Sequence, residues 1–312
     1  MKSQVLPDQK MNDGREPPLR AFFDSTFKGG ANTNDWMNII HAPTSGFGLR
    51  SSSGPARRPS ADQRAFYREN GFLLARGIVP LSLVDQLRIR FRGLNHSGQD
   101  VAEALDDIEE KIAAREAADV SARVLRDALS QFIRVPTLLD WVEDFCGKDV
   151  LSLGAMLVRI PPTAESTPAG ARLHQNGYFI PVEADEGRVV SVWTPLEGVM
   201  HGSTVVDALT VLPGTHRGPL LQHDLSAHEQ GGLVSNPPQG LNSLSLAVEP
   251  GDVVFLHPRL LHGSQPNRNS SERTELLAHY ASARAAFVER PHVNKEYWKQ
   301  NAQLVRGVSS NL

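Results

Sequence analysis

Two periodicities divide the chain. From Ser60 the apolar positions recur at helical spacing. In "ADQRAFYRENG" (61–71) Phe66 and Tyr67 share one face, Ser60 stands where an N-cap is needed, and Gly71 stands where a helix must end. "FLLARGIV" (72–79) reads as a strand. In "SLVDQLRIRFRGL" (82–94) Leu83, Leu87 and Phe91 lie four apart, the signature of an amphipathic helix. Residues 101–146 are rich in Ala, Leu, Glu and Arg and predict two or three more helices. After Gly147 the pattern becomes short β-rich runs between Gly, Pro and Asn breaks: "LSLGAMLVRI", "ARLHQNGYFI", "RVVSVWTPL", "STVVDALTVL", "LSLAVE", "DVVFLHPRLLHG" and "TELLAHYASA". Helices followed by strands imply an α+β domain. Seven or eight short strands suggest a double-sheet jelly roll.

Residues 1–57 fall outside this pattern. Pro17-Pro18, Gly29-Gly30 and "SSSGPARRPS" (51–60) read as an extension ending in a linker. Phe22, Phe23, Phe27, Trp36, Ile39 and Ile40 are too apolar for a solvated tail, so part of this arm is expected to pack on the single domain at 58–312.

Composition narrows the function classes. The chain has 312 residues, 40% hydrophobic and 21% charged, which is enough for a sizeable core and unlike a disordered chain. Net charge is −3, with no basic excess or polybasic run, so neither nucleic acid nor an anionic membrane is an expected partner. No apolar run reaches 18 residues. The opening "MKSQVLPDQKMNDG" lacks the apolar stretch of a signal peptide, and Cys146 is the only cysteine, which fits a reducing compartment. The terminal "SNL" differs from a peroxisomal Ser-Lys-Leu at Asn311. A cytoplasmic monomer or homodimer acting on a small molecule is the expectation.

The chemistry gathers in three places. On a strand, residues i and i+2 project together, so His174 and Asn176 of "RLHQNGYFIP" (172–181) are expected on one face and Gln175 on the other. Downstream, "VVFLHPRLLHGSQPN" (253–267) carries His257 and His262, either of which a jelly roll could bring beside His174. Two imidazoles and a carboxylate on one face form the facial triad of non-haem Fe(II) oxygenases. Arg273 follows eleven residues after His262, and its guanidinium suits the distal carboxylate of a dicarboxylic acid. "EPGD" (249–252) and "LPGTHRG" (212–218) read as turns that launch and close strands. His201, His216, His223 and His228 lie in loop-like sequence and are expected to be solvated, and His257, before Pro258, to pack or cap.

These residues carry a family resemblance. From about Ser60 to Tyr280 the chain resembles the phytanoyl-CoA dioxygenase family of Fe(II)/2-oxoglutarate oxygenases. The ordered pieces are "FYRENGFLLARGIVP" (66–80), "HQN" (174–176), "VSVWTPL" (190–196), "LTVLPGTHRG" (209–218), "PGDVVFLHPRLLHGSQPN" (250–267) and Arg273. The resemblance implies a double-stranded β-helix (cupin-like) with helices on one sheet. It implies iron ligands His174 and His262, 2-oxoglutarate and O₂ as cosubstrates, and Arg273 as partner of the cosubstrate's C5 carboxylate. Met156, Gln175, Trp193 and Ser264 match positions lining the cosubstrate pocket.

The chain departs from the family at two points. Asp207-Ala208 replaces a common Asn-Gly, read as a turn change. Asn176 replaces the aspartate ligand. A neutral amide reaches as far as a carboxylate but binds a divalent ion more weakly, and its NH₂ needs an acceptor. Three readings follow: an oxygenase oxidising a C–H bond of a small substrate, with Asn176 as a weak metal ligand; an impaired enzyme; or a metal-free binding or non-redox protein. A halogenase-like two-histidine site is a further variant, with Asn176 filling the space a halide would take. The substrate leans to a specialised metabolite, because no basic patch matches the phosphates of coenzyme A.

Overall fold

The computed structural model describes residues 58–92, 120–162, 173–183, 187–198, 200–201, 204–205, 209–225, 233–235, 238, 240–267 and 271–307. The aromatic arm, Asp207 and His228 lie outside the described residues, as does the stretch at 101–119 expected to be helical.

The first helix forms as its sequence demands. In α1 (Ala61–Asn70) the Ser60 hydroxyl accepts from the Gln63 N–H at 3.1 Å, and the Gln63 side chain accepts from the Ser60 N–H at 2.8 Å. Gly71 ends it in the left-handed region at φ 79°, and an added Cβ there would lie 2.5 Å from His216 Nδ1. The chain then runs through β1 (Phe72–Ala75), α2 (Leu81–Arg92), α3 (Val120–Phe132) and α4 (Pro136–Cys146). The β-rich half follows: β2 (Val150–Ile160), β3 (Val189–Pro195), β4 (Met200–His201), β5 (Thr204–Val205), β6 (Leu209–Val211), β7 (His223–Asp224), β8 (Leu233–Val234), β9 (Leu244–Leu246), β10 (Val253–Leu256), β11 (His262–Ser264) and β12 (Arg273–Ser282). A short helix α5 (Lys295–Asn301) and β13 (Gln303–Arg306) close the chain.

Six strands pair in the order β1-β10-β3-β12-β2-β13, all antiparallel. A second sheet has the order β11-β6-β9. This is the expected α+β jelly roll. In the large sheet, residues directly opposite share a face. Phe255, Val192, Ala278 and Ala155 face the helices, where Phe255 stacks on Trp141 at 5.7 Å and contacts Phe145 at 5.0 Å. The other face carries Arg273, Glu275, Leu277 and His279, with Trp193 and Ser191 beside them on β3 and Met156 on β2. Leu209, Val211, Leu246 and Val248 of the smaller sheet and its margin join the same core.

Strand β12 is buried along its whole length, yet it carries Arg273, Glu275 and His279 on its inner face. Charged groups are almost never fully buried unless paired. Their presence at the centre of the sheet marks the site.

Several expectations need correction. "ARLHQNGYFI" is not a strand: His174 makes one antiparallel bridge, and Asn176–Tyr178 turns into a 3-10 helix. "DVVFLHPRLLHG" splits between the two sheets as β10 and β11. His216 and His223 are buried rather than solvated. The capping and packing role of His257 holds: its Nδ1 accepts from the Arg259 N–H at 3.2 Å, and its ring lies 5.0 Å from that of His216. "EPGD" forms a turn in which Asp252 accepts from the Glu249 and Gly77 backbone and pairs with Arg76.

Candidate active site

His174, in an isolated bridge, and His262, at the start of β11 and 88 residues further on, are zipped together at the centre of the site. The His174 N–H donates to the His262 carbonyl at 2.9 Å, and the His262 N–H returns a bond to the His174 carbonyl at 3.1 Å. The two imidazole rings lie 4.4 Å apart, tilted by 51°. His262 is 2% exposed, and its Nδ1 hydrogen bonds to the Leu260 carbonyl at 2.9 Å. A carbonyl only accepts, so Nδ1 carries the proton and Nε2 presents a lone pair. Burial, helped by the neighbouring His174, holds the His262 ring well below its usual pKa and therefore neutral. A neutral, oriented imidazole beside a second one is what a divalent transition metal requires.

Asn176 begins the 3-10 turn one residue past Gln175 and is 3% exposed. Its Nδ2 has no hydrogen-bond partner. A buried donor without an acceptor is rare and points either to a missing ligand atom or to a position shaped for a carboxylate. The turn is fixed from outside: the Gly177 N–H donates to the Pro258 carbonyl at 2.7 Å, and a Cβ on Gly177 would lie 3.0 Å from that same oxygen. Among the described residues no group of three or more His, Cys, Asp and Glu could hold a metal. The two histidines thus have no third acidic or imidazole donor with them among the described residues, and residue 176 offers a neutral amide instead.

Gln175 departs from the expected pocket role. It is 1% exposed, and its amide donates to the Pro219 and Arg259 carbonyls and accepts from the Leu221 N–H. Its carbonyl and both donors bind backbone, so it staples two loops behind the histidines. His223, which sequence reasoning left to solvent, completes this staple: Nδ1 donates to the Leu221 carbonyl and Nε2 accepts from the Gln175 N–H. Burial pushes His223 down to about 4. Tyr178 lies between the rings of His223 and His292, 4.1 Å from each.

Arg273 lies deeper on the inner face, 1% exposed. Its Nε donates to Glu275 Oε1 at 3.0 Å, and its Nη2 pairs with the same oxygen at 2.8 Å and donates to the Gln265 carbonyl at 2.8 Å. Nη1 is buried with no partner. The second carboxylate oxygen of Glu275 accepts from Trp193 Nε1 at 3.0 Å and from Ser264 Oγ at 2.6 Å. Trp193 and Ser264, expected to line the cosubstrate pocket, thus sit around Glu275, while Met156 is half-buried opposite Leu277 against the core. Glu275 is a residue sequence reasoning missed. The available signal was an Arg-x-Glu pair on one face of a buried strand. His279 was missed as well: it shares a 2.9 Å hydrogen bond with Ser191 Oγ, and burial pushes it down to about 3.

The phytanoyl-CoA dioxygenase (PhyH) family model matches residues 67–274, two thirds of the chain and every residue of this site except Glu275, His279 and His292. The chain belongs to the phytanoyl-CoA dioxygenase family. It is 27% identical to human peroxisomal phytanoyl-CoA dioxygenase over 306 aligned positions, 80% of this chain and 84% of that one. It is 26% identical to the 1-deoxypentalenic acid 11-beta-hydroxylase of Streptomyces exfoliatus, covering 65% of this chain and 73% of that one. Among solved structures it resembles the non-haem alpha-ketoglutarate-dependent carbocyclase SnoK of nogalamycin biosynthesis (TM-score 0.54, 17% identity, 80% of this chain and 94% of that one). It also resembles the epimerase SnoN in complex with Fe³⁺ and alpha-ketoglutarate (TM-score 0.53, 18% identity, 73% and 85%). The family is one of Fe(II)/2-oxoglutarate-dependent oxygenases acting on small molecules, and the jelly-roll fold is common to all these proteins. Among the described residues no helix is long and apolar enough to cross a membrane.

Proposed function

We propose that this family member is a non-haem Fe(II)/2-oxoglutarate-dependent dioxygenase that oxidises a C–H bond of a small organic substrate, with a specialised metabolite as the substrate class. The observation that carries this is the pair of zipped histidines, His262 with its Nε2 lone pair presented, on the same barrel interior as a buried Arg273 whose Nη1 lacks an acceptor. His174 and His262 would hold the metal, with Asn176 as a weak third donor. Arg273 Nη1 would take an oxygen of the cosubstrate's distal carboxylate. Iron and 2-oxoglutarate, when bound there, would supply oxidative decarboxylation to succinate and CO₂ coupled to substrate oxidation.

The chain's own residues orient and exclude. The Leu260 carbonyl fixes the His262 tautomer, and Gln175 holds the loops behind both imidazoles. Leu277 and Met156, opposite each other on β12 and β2, add apolar surface beside these polar groups. The substrate lean rests on the similarity to the 1-deoxypentalenic acid 11-beta-hydroxylase, alongside that to phytanoyl-CoA dioxygenases. A reducing, cytoplasmic setting agrees with the single, buried Cys146.

A second reading, an impaired or metal-free binding protein, is favoured by Asn176 itself, which removes the one anionic protein ligand. Anaerobic titration with Fe(II), then with 2-oxoglutarate, separates the two. The oxygenase reading requires metal binding that is lost in His174→Ala and His262→Ala, and succinate formation when a substrate is supplied. Metal binding that survives both substitutions sinks it.

A further inference from the structure

The donors expected to receive the cosubstrate's distal carboxylate are turned on a carboxylate that already belongs to the chain. Glu275 is 2% exposed, and each of its oxygens has two donors. Oε1 takes Arg273 Nε and Nη2, at 3.0 and 2.8 Å. Oε2 takes Trp193 Nε1 and Ser264 Oγ, at 3.0 and 2.6 Å. The four hydrogen-bonding atoms come from β12, β3 and β11, so this carboxylate ties the two sheets together at the floor of the site. An i,i+2 pair on one strand need not meet in this way, because the side chains stand parallel and bend together only when something holds them. Here Trp193 and Ser264 do the holding. The pair is electrically neutral, whereas an Arg273 cradle without Glu275 would carry a full positive charge. What remains for a ligand is Nη1 alone.

We propose that Glu275 is an internal carboxylate occupying the cosubstrate's place on the Arg273 cradle, and that it sets how weakly and how selectively the site accepts dicarboxylic acids. The proposal rests on the reading of Arg273 as the cosubstrate's partner. A distal carboxylate arriving at Nη1 meets a like charge held on the other edge of the same guanidinium, and like charges in juxtaposition oppose binding strongly. It must either accept one contact from Nη1 or displace Glu275 from Trp193 and Ser264. Either route penalises 2-oxoglutarate relative to 2-oxo acids that lack a distal carboxylate. The neutral cradle and the neutral Asn176 then act in the same sense: both reduce the hold of the site on the charged parts of the oxidising machinery.

The test is calorimetric titration of the Mn(II)-loaded protein with 2-oxoglutarate and with 2-oxobutyrate, which has no distal carboxylate, in the unaltered chain and in Glu275→Gln. Glu275→Ala is the second variant, followed by the rise in melting temperature on adding glutarate, a dicarboxylate without the 2-oxo group. The proposal expects Glu275→Gln to bind 2-oxoglutarate at least about tenfold more tightly, with 2-oxobutyrate unchanged. It expects glutarate to stabilise Glu275→Ala and not the unaltered chain. If the unaltered chain binds 2-oxoglutarate tightly and Glu275→Gln binds it equally or less well, Glu275 is a support for Arg273 and the proposal falls while the cosubstrate reading stands. If every variant holds Mn(II) and none binds 2-oxoglutarate or responds to glutarate, both fall.

Discussion

Asn176→Asp probes the centre of the site because the structure gives it opposite signs with and without metal. In the metal-free protein the Asn176 amide is 3% exposed with Nδ2 unpartnered, a defect of about 1–3 kcal/mol. Aspartate removes that donor but buries a charge between neutral groups, and an uncompensated buried charge costs about 3–5 kcal/mol. The balance is a loss of about 2 kcal/mol, within a range of about 0–4, which lowers the melting temperature by about 2–4 °C for each kcal/mol in a chain of this size. A divalent ion reverses the sign. The carboxylate becomes an anionic third ligand beside His174 and His262 and should tighten Fe(II) or Mn(II) by at least tenfold, about 1.4 kcal/mol. At about one hundred times the dissociation constant, the ion then returns about 2.7 kcal/mol of stability. Scanning calorimetry of both proteins, with chelator and with Mn(II), reads both halves, and succinate formation should rise in the Asp form. Equal melting temperatures and equal metal affinities would show that residue 176 does not face the metal and would refute the assignment.

Arg273→Leu should reduce stability by about 3–5 kcal/mol in urea unfolding, because it leaves the Glu275 carboxylate buried without its guanidinium. The double change to Arg273→Met with Glu275→Leu should recover most of that loss. Gly177→Ala places a Cβ 3.0 Å from the Pro258 carbonyl, so it should shift the Asn176 turn and weaken Mn(II) binding in the same titration. His216 and His223 are held near pH 4, and His257 and His279 near 3, by burial. The unfolded chain takes up these protons from about pH 6.5 downward while the folded one does not, so acid favours unfolding. Stability is full above that pH and falls toward pH 4 by up to about 1.4 kcal/mol per pH unit per group, measurable as the urea midpoint at neutral and mildly acid pH. A flat profile would mean these rings are hydrated.

The parts of this architecture legible in the sequence are those decided locally. Ser60, Gln63 and Gly71 bound a helix by their own chemistry, β3 announces itself by its β-branched content, and β2 and β12 by long apolar runs between breaks. The histidines were legible through their ordered motifs. The geometry at residue 176 was not, because its backbone is chosen by Pro258, more than eighty residues away, which draws Gly177 into a turn and ends the extended run at Gln175. Gln175 was misjudged for the same reason: its three backbone partners lie on loops at 219–221 and 259. His223 looked solvated because β7 and β8 are only two residues each, too short to leave a periodic trace. Glu275 left only the Arg-x-Glu signal, which reads as an ordinary ion pair until Trp193 and Ser264 are seen to close on it.

The Gly177–Pro258 contact also bears on how the protein ages. An asparagine followed by glycine ordinarily loses its amide over time, when the backbone nitrogen of the glycine attacks the side-chain carbonyl carbon and the resulting ring opens to an acid. That attack needs a nitrogen free to give up its proton and a backbone free to swing. The Gly177 nitrogen instead donates at 2.7 Å to the Pro258 carbonyl, in a tight space where a methyl group would press on Pro258 and Leu220, within a hydrogen-bonded turn that also binds Phe179 to the Asn176 carbonyl. The fold therefore guards the identity of residue 176. The amide at 176 should be lost more slowly than an Asn-Gly pair in a free chain loses its own.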